Sequence, residues 1–132
     1  MTAMPPAAAE ATARVRAYLA AMEARDLGAA SAMLAPGFAM VFPGGNRFTE
    51  LADLVAWARP RYRFVRKRYS RFDAAPAEDG TAVTCFGTLE GEWPDGTAFS
   101  GIRFCDWFLV GADGRLLRQE VWNDLAEAGR AT

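Results

Sequence analysis

Apolar residues recur at helical spacing in the first half of the chain and alternate with polar ones in the second. Ala11, Val15, Tyr18, Leu19 and Met22 fall three or four apart, which predicts an amphipathic helix over residues 7–25. Pro5 and Pro6 stand where a helix starts most readily. Asp26 can cap a second short helix running through Leu34, and Pro36-Gly37 stops it. Residues 38–43 read as a short strand turned by Gly44, Gly45 and Asn46. Thr49 is the expected N-cap of a third helix that buries Leu51, Leu54, Val55 and Ala58 and ends at Pro60.

Three Asp-Gly pairs punctuate the second half, at residues 79–80, 95–96 and 113–114. Asp-Gly between apolar-rich runs signals a hairpin, because the favoured two-residue turns need positive φ. The pairs predict a four-strand antiparallel meander over residues 66–75, 81–93, 97–110 and 115–124. Strands this long predict a strongly curved sheet. Helices first and antiparallel sheet second predict one α+β domain over residues 1–132, with a pocket between the two layers.

Two-residue turns would set Val83, Cys85, Gly87 and Leu89 on one face with Phe108, Asp106, Phe104 and Ile102. The third turn extends that face to Gln119, Val121 and Asn123. The opposite face carries Phe86, Phe99, Arg103, Cys105 and Trp107, also rather apolar. Helices would cover the first face, and a second copy of the chain is expected on the other. In this register Cys85 and Cys105 point to opposite sides and do not bridge.

Histidine is absent, which excludes imidazole bases and His-centred triads. Two cysteines cannot assemble a Cys/His zinc site, and no dense acidic loop suggests another metal. We expect no cofactor. A net charge of −1 gives no general attraction to nucleic acid or membrane. No apolar run has the length of a membrane span, and residues 1–10 lack the layout of a signal peptide, so a cytoplasmic location is expected. Residues 59–71 hold seven basic side chains with Tyr62, Phe64 and Tyr69 interleaved. A solvated, charge-protected strand edge is the expected reading. An anionic ligand steered to the pocket mouth and single-stranded nucleic acid are the alternatives.

The layout resembles the nuclear transport factor 2-like superfamily, which includes ketosteroid isomerases and SnoaL-like polyketide cyclases. AYLAAMEARDLGAASAMLAPGFAMVFPGG looks like the first helices and first strand of a ketosteroid isomerase, and DWFLVGADGR like a later strand and turn. The resemblance implies a cone-shaped, cystatin-like α+β barrel, its curved antiparallel sheet wrapped around the N-terminal helices. It places Tyr18 on the isomerase's oxyanion-hole tyrosine and Asp106 on the protonated aspartate that donates the second hydrogen bond. It places the isomerase's general base on Phe42 and the cyclases' last-strand acid on Val121, neither of which accepts a proton.

Two functions follow as expectations. The first is a pocket for a small, largely apolar molecule with one polar oxygen held by Tyr18 and Asp106, with Gln119 and Asn123 nearby. Trp57, Phe104, Phe108, Val121 and Phe42 would line it, and Trp122 is a further candidate wall. Isomerase, cyclase or lyase chemistry would pass through an enolate-like state. The second is a non-catalytic dimerisation or scaffold module. Tyr18 can equally be a core tyrosine bonded to backbone, and Asp106 one half of a salt bridge. Lacking a cation on its predicted face, Asp106 is expected to be protonated, and Asp106→Asn to preserve the fold.

Overall fold

The computed structural model describes residues 6–130. Four helices and a six-stranded sheet follow in the order α1 (Pro6–Glu23), α2 (Leu27–Ala32), β1 (Leu34–Phe42), β2 (Asn46–Phe48), α3 (Leu51–Ala58), β3 (Phe64–Ala77), β4 (Gly80–Glu92), β5 (Ala98–Val110), β6 (Leu116–Asn123) and α4 (Leu125–Arg130). The strands lie in the order β2-β1-β6-β5-β4-β3. The sheet is curved and unclosed, with β2 and β3 as its edges. Neighbours run antiparallel except β1 and β6, which pair in parallel.

The expected stripe of α1 is the buried one: Ala11, Val15, Tyr18, Leu19 and Met22 all face the sheet. Pro5 lies outside the described residues. Asp26 caps α2, its Oδ1 accepting from the Ala29 amide at 3.2 Å, but the helix stops at Ala32 and β1 begins already at Leu34. Pro36-Gly37 therefore sits within β1, where the β1–β6 register shifts. Glu50, rather than Thr49, is the N-cap of α3, and its side chain makes no capping bond. The two short elements β2 and α4 carried no periodicity long enough to announce them.

The first hairpin keeps a two-residue turn but sets it at Glu78-Asp79, one position earlier than expected, and the other two turns are each one residue longer. The β4–β5 loop has three residues, Pro94–Gly96, closed by the Trp93 amide donating to the Thr97 carbonyl at 2.8 Å. A bulge between Leu89 and Gly91 then absorbs the extra residue. The same happens at Ala112–Gly114, with a shift beside Val110. Because bulge and loop compensate, the interior register is the predicted one: Cys85 faces Asp106, Asp106 faces Val121, and Phe108 faces Gln119. The two thiols accordingly lie on opposite faces and are free.

The bulge does move Phe99. It leaves the outer face and packs on Trp93, ring centroids 4.4 Å apart. Trp122 moves the other way. By strand alternation it stands on the outer face, 54% exposed, and does not wall the interior.

The second part of the basic run, from Phe64 on, opens edge strand β3, and Arg59, Arg61 and Arg63 precede it. Arg68 pairs with Glu90 and Arg71 with Asp73 on the solvent side, while Val65, Lys67 and Tyr69 turn inward. A bulge between Tyr69 and Arg71 seats β3 against β4 opposite Gly87. A Cβ on Gly87 would stand 1.9 Å from the Arg68 carbonyl oxygen, backbone that cannot yield cheaply. Gly87→Ala should therefore lower stability by about 1–3 kcal/mol, read as a reduced urea midpoint. An unchanged midpoint would mean that β3 is not held this close.

Candidate functional site

Asp106 is fully buried, between Phe104 and Phe108 on the inward face of β5. Contrary to the expectation from its own strand neighbours, a cation meets it. Lys67 Nζ lies 3.0 Å from Asp106 Oδ2. The lysine comes from β3, two strands away, out of the run that reads as a charged edge. Gly87, on the inward face of β4 between them, has no side chain to stand in the way. The Lys67 stem passes Phe104, with Nζ 5.2 Å from the ring centroid. Neither Asp106 oxygen has a well-formed hydrogen bond among the described residues, so the carboxylate depends on this charge contact.

Burial pushes the Asp106 carboxyl above the usual carboxylate range, while the Lys67 ammonium and the Gln119 amide pull the other way. Burial pulls Lys67 down, but Asp106, with Tyr69 and Cys85 adding to it, outweighs it and the lysine ends above its ordinary value. Lys67 is thus an ammonium at neutral pH, a donor and not a base or nucleophile. Asp106 positions it from behind.

The front of Lys67, its side chain 21% exposed, opens on a cavity of about 90 Å³. Tyr18, Gln119, Phe42, Leu54, Tyr62 and Glu23 share its lining with the lysine. The Tyr18 hydroxyl is 3.5 Å from Gln119 Oε1 and 3.9 Å from Met40 Sδ. Burial, with the Asp106 charge adding to it, raises the Tyr18 phenol well above its ordinary value, so it stays a donor. The ring is fixed edge-on to Phe108, centroids 6.1 Å apart. The cavity is smaller than the roughly 150 Å³ that admits a benzene ring, so it suits a functional group and not a ring system.

A larger cleft of about 820 Å³ lies outside it and shares Phe42 and Tyr62 with it. Trp57, Arg61, Trp93, Asn123 and Leu125 line this cleft. Phe42, Phe48 and Trp57 form a cluster with centroids 5.4–6.0 Å apart. The Arg61 guanidinium lies 3.9 Å from the Trp57 ring centroid.

The structure thus brings Tyr18, Gln119 and Phe42 to the inner cavity, and Trp57, Asn123 and Phe42 to the outer cleft. The Asn123 side chain accepts from the Leu125 amide at 3.1 Å and so starts α4. Phe104 and Phe108 are core residues around Asp106, and Val121 sits opposite it. Lys67 and Glu23 were missed by sequence reasoning. The signal for Lys67 was its place at an alternate, inward position between Val65 and Tyr69.

The SnoaL-like domain model matches residues 15–119. Among curated proteins none matches in sequence. Solved structures share the fold. A nuclear transport factor 2-like protein of unknown function from Burkholderia pseudomallei superposes with TM-score 0.75 at 21% identity, over 92% of this chain and 95% of that one. TerC, co-crystallised with polyporic acid, gives 0.75 at 21% over 92% and 96%. A protein assigned as a SnoaL-like polyketide cyclase from Jannaschia sp. CCS1 gives 0.77 at 15% over 99% and 96%.

The pair makes a pH prediction. Lys67→Met leaves Asp106 buried without its counter-charge, so its folded value rises further above the unfolded one of about 3.9. A raised carboxyl adds stability below the unfolded value and loses it as pH rises through the folded value. Lys67→Met should therefore be destabilised by about 3–5 kcal/mol at neutral pH and recover on acidification. Asp106→Asn, which strands the ammonium, should also destabilise, overturning its expected neutrality. Lys67→Met/Asp106→Asn should recover most of either loss in urea titrations. Additive losses in that cycle would refute the pairing. Register, burial and the matched domain together identify the chain as a member of the SnoaL-like family, on the nuclear transport factor 2-like fold.

Proposed function

We propose that the chain binds a small, mostly apolar molecule with a carbonyl or hydroxyl oxygen and belongs functionally with the ligand-binding, cyclase-type members of its family. The observation that carries the reading is Lys67. Its ammonium is neutralised from behind by Asp106 and faces a cavity that also holds Tyr18 and Gln119. Because the lysine already has its counter-ion, a neutral oxygen fits better than a second anion. The apolar body of the ligand would occupy the outer cleft between Trp57 and Trp93. Aromatic walls beyond a few convergent polar groups are the usual make-up of such sites. The polyporic acid crystallised with TerC, a protein of the same fold, supports the same reading.

2-Naphthol is the probe, its hydroxyl directed to Lys67 and its rings to the cleft. Titration followed by tryptophan fluorescence and calorimetry should give saturable binding. Lys67→Met/Asp106→Asn, which removes both charges together, should weaken it at least about tenfold, the worth of one charged hydrogen bond. Trp57→Ala should weaken it through lost ring contact. Full affinity in both variants would end the proposal.

A second reading, self-association, is favoured by the outer sheet face. Phe86, Cys105 and Trp122 stand side by side across β4, β5 and β6, and Phe86 and Trp122 are 40% and 54% exposed. Contiguous exposed aromatics mark interaction sites. The expected homodimer would centre on this row rather than on Phe99. Light scattering at micromolar concentration should give twice the mass of 14.4 kDa, and Trp122→Glu should give the monomer. A monomeric parent chain would dispose of this reading and leave the pocket untouched.

A further inference from the structure

The inner cavity is lined by two cations, Lys67 and Arg25, two phenols, Tyr18 and Tyr62, and the Gln119 amide, all able to donate to an oxygen, and by one group of opposite character. Glu23 is the one carboxylate among the described residues that line it. It is the last residue of α1 and is exposed. Its Oε2 accepts the backbone amide of Lys67 at 3.2 Å. That bond ties the end of the helix to the free edge of β3 and fixes the carboxylate next to the residue that supplies the ammonium. Glu23 makes no ion pair among the described residues, unlike Glu10, Glu90, Glu92 and Glu120. Oε1 is left to act. A carboxylate and an ammonium held apart on one small cavity are the pair of groups that proton abstraction beside a carbonyl requires.

We infer that Glu23 is the general base of this site and that the protein enolises a bound ketone. The inference rests on the proposed binding reading. The carbonyl oxygen accepts from the Lys67 ammonium and the Tyr18 hydroxyl. Glu23 Oε1 takes a proton from the carbon next to the carbonyl. The C–H electron pair becomes the new C=C bond, and the carbonyl π pair moves onto oxygen as an enolate beside Lys67. Return of the proton to the same or a conjugated carbon completes the cycle, without oxidant or further reactant. Asp106 does not reach the cavity and acts only by keeping Lys67 charged and in place. The base thus comes from the end of α1, not from the positions occupied here by Phe42 and Val121. The substrate class is a ketone with acidic α-hydrogens and a planar apolar body for the outer cleft.

The test uses 2-tetralone, a bicyclic ketone, in deuterium oxide. Proton NMR follows loss of its C1 hydrogens with and without the full chain. The protein should accelerate exchange over buffer. Glu23→Gln keeps an acceptor for the Lys67 amide and should cut the acceleration about a hundredfold or more, while 2-naphthol still binds saturably. Glu23→Ala should lose exchange and regain part of it with added formate, which a merely structural glutamate would not show. Parent-chain exchange at the buffer rate with 2-naphthol still bound would overturn the base assignment and leave the binding reading standing. So would undiminished exchange in Glu23→Gln. Failure of 2-naphthol to bind would bring down both.

Discussion

A buried carboxylate must be neutralised, and in this fold that requirement is met across three strands. Asp106 sits at the apolar centre of β5 and Lys67 on the sheet's edge strand, with a bare glycine between them on β4. The bulge in β3, the close approach at Gly87 and the inward turn of Lys67 all serve this one contact. The desolvation cost of a lone buried charge is several kcal/mol, comparable with the whole stability of a small domain. The pair therefore constrains both the strand register and the position of the Lys67 ammonium in the cavity.

The two volumes then divide the work. The inner one is too small for a ring and is lined by groups that hold an oxygen. The outer one is wide and aromatic. Phe42 and Tyr62 belong to both, so a ligand filling the cleft brings its polar end to Lys67. Acidic and basic groups meet there without quenching each other, because Lys67 is satisfied by Asp106 and Glu23 by a backbone amide.

Much of this was legible in the sequence. Strand order in the meander, the pairing of residue 85 with 106 and the buried stripe of α1 followed from turn residues and periodicity. The last two turns were each one residue longer than expected, and bulges that no local signal marks restored the register there. The misplacement of Phe99 was the visible cost of that cancellation. The chemistry was less legible. Asp106 was identified as anomalous because its strand neighbours are aromatic, but its partner lies 39 positions earlier, inside a run whose charges mostly face solvent. Deciding which of seven basic residues turns inward needs the phase of β3, and the bulge sets that phase. Glu23 was invisible for a similar reason: only the docking of α1 against β3 brings its carboxylate to the cavity.

The placement of Lys67 on an edge strand ties recognition to the integrity of the sheet. An outermost strand has neighbours on one side only and is the first to fray. Any opening of β3 would pull the ammonium away from a carboxylate that cannot follow it into water. The ion pair thus fastens the edge as well as equipping the cavity. A homologue that changes its ligand by replacing this lysine must change the aspartate with it, or forfeit the strand. Residues 67 and 106 should vary together among relatives.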